Sequence, residues 1–232
     1  MFSHSAQFFY IVAGVFAVST FGLLIASVYV LRPFRSVFSW ALIVPAVAGL
    51  AYFAMGKGIG ATTVFDSTVN ITRYIDWMIT TPALLYLLAY AMIPDQKKRR
   101  STAWRWGGIM TLVLLTGLLG DVTTGTVKAL FFAVSSLTFL VVLYRIVDRL
   151  LVLDTKDIGS QQAVYALAMA WIILILWTAY PIAWVLGPDS IQLISLPTQT
   201  TLYALLDVIT KVGFAIVLLR YLQIQLSNRE TT

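Results

Sequence analysis

The run Leu202–Leu222, LYALLDVITKVGFAIVLLRYL, decides how this chain is read. It is apolar and long enough to cross a bilayer, which takes ~20 residues. Yet Asp207 and Lys211 lie in its interior, four residues apart and so on one face of a helix. A charged side chain at the bilayer centre costs at least ~2.5–3.5 kcal/mol, so such a pair faces the inside of a bundle and marks a functional site.

Six further runs supply the rest of that bundle: Gln7–Leu31, Val37–Met55, Ile71–Ile93, Ala103–Leu119, Val127–Val147 and Val164–Leu186. Between them lie polar or Gly/Pro-rich breaks: LRPFRS, GKGIGATTVFDST, IPDQKKRRST, GDVTTG, DRLLVLDTKDIGSQQ and GPDSIQLISLPTQ. Composition agrees, with 59% apolar and only 11% charged residues, against ~25% charged in a soluble domain. The expected fold is all-α, one seven-transmembrane-helix domain over residues 1–232, multi-pass in the cell membrane. The first run is too long for a signal-peptide core and has no Lys or Arg before it, so it reads as a retained helix.

Charge sets the orientation. The first, third and fifth breaks and the C-terminal tail, with the adjoining helix ends, hold Arg32, Arg35, Lys97, Lys98, Arg99, Arg100, Arg105, Arg145, Arg149, Lys156, Arg220 and Arg229. The opposite side holds Lys57 and Lys128. The positive-inside rule predicts an extracellular N-terminus and a cytoplasmic C-terminus. The net charge of +6 follows from this bias, and the KKRR run is expected as a solvated loop at the lipid surface, with no nucleic-acid partner. No cysteine is present, and the single histidine, His4, lies in the N-terminal tail, so thiolate and histidine metal sites are excluded from the bundle.

The third run carries the matching charges. Arg73 and Asp76 share a face, with Thr80 one turn beyond Asp76. Two cations and two carboxylates make a formally neutral quartet, as a dry interior requires. Such a quartet could serve only to lock two helices together. The aromatic residues add a second pattern. Trp177, Tyr180, Pro181 and Trp184 form one kinked face of the sixth run; Trp77 and Thr81 are one turn apart on the third, with Tyr52 on the second and Tyr203 on the seventh. Bulky rings around a buried lysine suit a flat, apolar, conjugated ligand, and lysine is the side chain that forms Schiff bases with carbonyl compounds.

Three stretches carry a resemblance. RYIDWMITTP (Arg73–Pro82), WTAYPIAWVLG (Trp177–Gly187) and LLDVITKVGF (Leu205–Phe214) resemble the third-, sixth- and seventh-helix motifs of microbial rhodopsins, in the family's order. The wording is nearest to the bacteriorhodopsin and sensory rhodopsin II branches. The resemblance implies all-trans retinal, bound covalently as a protonated Schiff base on Lys211. Asp76 becomes primary counter-ion and proton acceptor, Asp207 the second counter-ion, and Arg73 the stabiliser of that anionic pair. Thr80 is expected to hydrogen-bond Asp76, and Tyr52 and Tyr180 to hydrogen-bond Asp207. Trp77 and Trp177 would sandwich the polyene, and Tyr74, Thr81, Val113, Gly117, Pro181 and Trp184 would complete the pocket. Trimers are common among such relatives.

Position 76 separates the ions these proteins handle. Chloride pumps of the family replace this carboxylate by a hydroxyl residue and sodium pumps by asparagine, so Asp76 points to protons. The reaction implied is light-driven proton transfer, not turnover of a diffusible substrate. The carboxylate that efficient outward pumps place three turns after the acceptor is absent, since Leu87 stands there. The glutamate of their outer release pair is replaced by Gln199, with Asp189 at the partner position. These departures suit a photosensor, as does Thr210, which with Tyr180 matches a hydrogen-bonded pair used by sensory rhodopsin II. Leu205 replaces that sensor's docking tyrosine, however, and the end of the seventh run reads more like a pump. Leu218 in place of an acidic residue argues against inward pumping. The expectation is a slow outward proton pump, with a sensor acting through a transducer protein as the alternative.

Overall fold

The computed structural model describes residues 6–29, 34–65, 67–153 and 158–230; His4, Arg32 and Lys156, used above, lie outside them. Seven helices are each long and apolar enough to cross a membrane: α1 (Ala6–Tyr29), α2 (Arg35–Gly56), α3 (Ile71–Met92), α4 (Gln96–Asp121), α5 (Gly125–Leu151), α6 (Ser160–Leu186) and α7 (Leu196–Glu230). Successive helices pack as neighbours, and α7 returns against α1 to close the ring. The third helix, α3, touches α2, α4, α6 and α7 and is the most buried, 61% of its span against 17% for α5. That central position lets its charged face meet α7.

Several helices run past the expected bounds, and each extension has a local cause. The KKRR run, expected as a loop, forms the first turns of α4. Asp95 caps that helix, its carboxylate accepting the Lys98 amide at 2.6 Å, and Lys and Arg are good helix formers. At its far end α4 continues through Gly120 to Asp121, two residues that read as part of a break. Helix α7 starts at Leu196, with Pro197 in its first turn, where the missing amide hydrogen costs nothing. It then runs for 35 residues, well beyond Leu222.

The α2–α3 break also contains structure. Ala61–Val64 (β1) and Ser67–Asn70 (β2) form an antiparallel hairpin with Ala61 opposite Asn70 and Val64 opposite Ser67. The strands are rich in Thr and Val, which favour extended backbone. Asn70 then caps α3, its side chain accepting the Arg73 amide at 3.4 Å. The hairpin thereby fixes where α3 begins, and with it the register of Arg73 and Asp76.

The core divides along the bundle. Towards the basic side it is apolar: Leu84, Leu85, Leu87, Leu88 and Met92 of α3 pack with Phe214, Leu218 and Leu222 of α7. The buried charges Arg73, Asp76, Asp207 and Lys211 lie in the other half and at mid-depth.

Candidate retinal site and proton pathway

At the centre, α3 meets α7. Lys211 Nζ lies 2.5 Å from Asp76 Oδ2 and 3.3 Å from Asp207 Oδ1. All three side chains are at most 2% exposed. An isolated ion here would be prohibitively costly, and the paired arrangement compensates the desolvation of each. The free amine stands where a Schiff-base nitrogen would be.

The two carboxylates are held differently. Asp207 accepts the Tyr52 hydroxyl on Oδ2 at 2.8 Å, and on Oδ1 both the Trp77 indole N–H at 3.0 Å and the Tyr180 hydroxyl at 2.9 Å. Asp76 gives Oδ2 to Lys211, while its Oδ1 has no hydrogen-bond partner among the described residues. The Thr80 hydroxyl hydrogen-bonds Asp76, as expected, donating to its main-chain oxygen at 2.9 Å. This is the usual i−4 bond of a helical threonine.

Arg73 is 8% exposed and makes no ion pair with Asp76 or Asp207 among the described residues. Its guanidinium lies over the Tyr203 ring, 5.0 Å from the centroid, and Nε and Nη2 have no hydrogen-bond partner among the described residues. Thr210 Oγ1 is likewise buried and unpartnered, so the Thr210–Tyr180 bond does not form; the Tyr180 hydroxyl is committed to Asp207.

An apolar cavity runs from Lys211 between α3, α4, α5, α6 and α7. Its walls include Tyr74, Trp77 and Thr81 from α3, Val113 and Gly117 from α4, Trp177, Tyr180, Pro181 and Trp184 from α6, and Asp207 and Thr210 from α7. Tyr52 lies behind Asp207 and does not reach the cavity wall. The reading had no place for Leu84, Phe132, Ser135 or Phe139, which also line it. Gly117 leaves room beside Tyr74: a Cβ there would be in ordinary contact with the ring at 3.7 Å. A mostly aromatic and aliphatic cavity, with an amine flanked by two carboxylates in its wall, fits an apolar polyene whose linkage to the lysine is cationic.

A second cavity opens towards the hairpin side, lined by Arg73, Trp77, Tyr203, Asp121, Asp189 and Gln199 among others. Asp121, which sequence reasoning missed, is held here by Tyr74 and Trp184, each donating at 2.6 Å. Gln199 is a structural tie, its amide donating to the Ala183 carbonyl at 3.0 Å across the α6–α7 junction.

Comparison with known proteins gives the same assignment. A family profile described as bacteriorhodopsin-like protein matches residues 3–225. Archaerhodopsin-3 of Halorubrum sodomense is 35% identical over 191 residues, covering 80% of this chain and 72% of that protein. Sensory rhodopsin-2 of Natronomonas pharaonis is 30% identical over 179 residues, 76% of this chain and 72% of its own length. The crystal structure of thermophilic rhodopsin from Rubrobacter xylanophilus superposes with a TM-score of 0.88 at 28% identity, covering 94% of this chain and 97% of that one. The chain therefore belongs to the bacteriorhodopsin-like family of microbial rhodopsins, multi-pass membrane proteins that carry retinal as a Schiff base on a lysine, here Lys211.

Proposed function

We propose that this protein is an outward light-driven proton pump, with its basic side in the cytoplasm. Retinal supplies, when bound, the light-driven rotation that turns the lysine-linked N–H away from its counter-ions. The observation that carries the reading is the unequal support of the two carboxylates. Asp207 accepts three hydrogen bonds from neutral donors, so protonating it would leave donors mismatched. Asp76 has an oxygen with no partner, close to Lys211 Nζ. The proton leaving Lys211 Nζ goes to Asp76, and Asp207 stays ionised on its Tyr52, Trp77 and Tyr180 donors. The hairpin-side cavity then gives a polar way out, past Arg73 and Asp189.

Proton return to Lys211 has no comparable path. From Asp76 to Leu87 the helix rises ~16 Å, at ~1.5 Å per residue, and beyond the hydroxyls of Thr80, Thr81 and Thr210 the buried side chains between α3 and α7 there are aliphatic and aromatic. The buried carboxylates among the described residues are Asp76 and Asp207 alone. Return is therefore slow and drawn from cytoplasmic water. The same apolar plug favours a second reading, a photosensor whose long-lived state is read by a partner transducer, although the unformed Thr210–Tyr180 bond counts against it. Cells expressing only this chain, supplied with retinal and illuminated in unbuffered medium, should acidify it, and a protonophore should abolish the change. No acidification from well-expressed, pigmented cells rejects pumping.

A further inference from the structure

The molecule holds a third carboxylate that the reaction as described leaves idle. Asp121 ends α4, yet its carboxylate is clamped by side chains from two other helices. The Tyr74 hydroxyl of α3 donates to Oδ2 and the Trp184 indole N–H of α6 to Oδ1, both at 2.6 Å. Such short bonds are typical of donors on an ionised acceptor. Tyr74 and Trp184 line both cavities, the apolar one beside Lys211 and the polar one leading outward, whereas Asp121 lines only the latter.

Asp121 has the connections a proton carrier needs. The outward cavity begins at Trp77, whose indole N–H is bonded to Asp207, and reaches Asp121 and Asp189. Arg73, 8% exposed, lines the same cavity with Nε and Nη2 unpartnered among the described residues, so the cavity offers donors to anionic or hydrogen-bonding partners. The two donors on Asp121 are chemically unequal. An indole N–H can only donate, so Oδ1 remains an acceptor in every state. A phenol can donate or accept, so a proton arriving on Oδ2 is accommodated when the Tyr74 hydroxyl turns its hydrogen into the cavity and accepts instead. No heavy atom has to move.

We infer that Asp121 is the exit-side relay carboxylate, taking on Oδ2 the proton that leaves the Asp76 region and passing it to the outer mouth. The inference rests on the outward-pump reading above. It supplies an exit group in a chain where Gln199 is tied to Ala183 and has no proton to give. The charged and titratable groups facing Asp121 are Tyr74 and Arg73 of α3, Lys128 of α5, Asp189 of the α6–α7 connection and Tyr203 of α7.

The test uses the full retinal-loaded chain in nanodiscs after a light flash. Visible absorbance follows transfer from Lys211 to Asp76, a water-soluble pH indicator follows release, and infrared difference spectra follow carboxyl groups. In the wild type, a protonated-carboxyl band from Asp121 should rise after transfer and vanish on release. Asp121→Asn should keep the transfer to Asp76, lose that band, and delay release about a hundredfold, the scale of a lost general acid or base. Asp189→Asn should keep the band. Release at the wild-type rate in Asp121→Asn, or persistence of the band in it, overturns the inference while leaving the pump standing. No transfer to Asp76 in the wild type overturns both. If Asp121→Asn does not take up retinal, Tyr74→Phe carries the test: a shifted band and delayed release support the relay, and unchanged spectra and timing overturn it.

Discussion

Leu87→Asp tests the account of proton return most directly. Leu87 is 1% exposed, three helical turns along α3 from Asp76 and packed among aliphatic residues on the path from the basic side to Lys211. Without a fixed donor, return to Lys211 Nζ draws on protons in bulk water, so recovery of the dark absorbance should slow about tenfold per unit rise in pH. External donors such as azide should accelerate it. An aspartate at position 87 would be a positioned general acid, worth about 10²–10⁴ in rate, and recovery should become fast and nearly pH-independent while that carboxyl remains protonated. Removing the leucine costs about 2–5 kcal/mol of apolar packing. Leu87→Asn incurs the same loss with no proton to give, so it should recover as slowly as the wild type. The assay is flash photolysis from acid to alkaline pH, with and without azide. Wild-type recovery in milliseconds at every pH, indifferent to azide, would refute the reasoning, because it requires an internal donor where the core is apolar.

Other substitutions probe the site and its packing. Asp76→Asn should abolish light-driven acidification while retinal still binds, and should shift the visible band, since it removes the charge 2.5 Å from Lys211 Nζ; medium pH and an absorption spectrum decide it. Tyr52→Phe should destabilise by about 1–3 kcal/mol, because a buried acceptor on Asp207 loses one of its donors, with the loss read from thermal bleaching. Gly49→Ala should lower thermal stability, as its Cβ would approach Phe16 Cβ to 3.3 Å where α1 meets α2, whereas Gly108→Ala, facing open space, should raise or leave unchanged the same midpoint.

The charged centre was legible because charge inside an apolar run has few explanations, and spacing put Asp207 with Lys211 and Arg73 with Asp76. The contacts were harder to read. Helix spacing places Arg73 near Asp76 but cannot say that its guanidinium turns outward over Tyr203. Spacing puts Thr80 on Asp76 but leaves open which oxygen accepts, and a helical hydroxyl commonly takes the i−4 carbonyl. Asp121 escaped notice for a different reason. Gly120, Asp121 and the Val-Thr-Thr-Gly that follows have the composition of a turn, and only tertiary packing carries α4 far enough for Tyr74 and Trp184 to reach the carboxylate. The β1–β2 hairpin was obscured in the same way by the glycines ahead of it, Gly58 and Gly60, both at positive φ.

The division of the core into a polar half and an apolar half also decides where a membrane potential acts. On the outward-pump reading the hairpin-side cavity that reaches in to Arg73 would be nearly equipotential with the outer medium, so most of the voltage would fall across the low-dielectric stretch around Leu84, Leu87, Leu88 and Leu218. One elementary charge crossing 100 mV gains or loses about 2.3 kcal/mol, roughly fiftyfold in rate if the whole drop lies on one step. An inside-negative cell opposes the outward motion of a proton through that plug and barely touches the exit side. On that reading the returning proton would meet nearly the whole electrical load, and the energised state of the cell would throttle the protein through its return stroke.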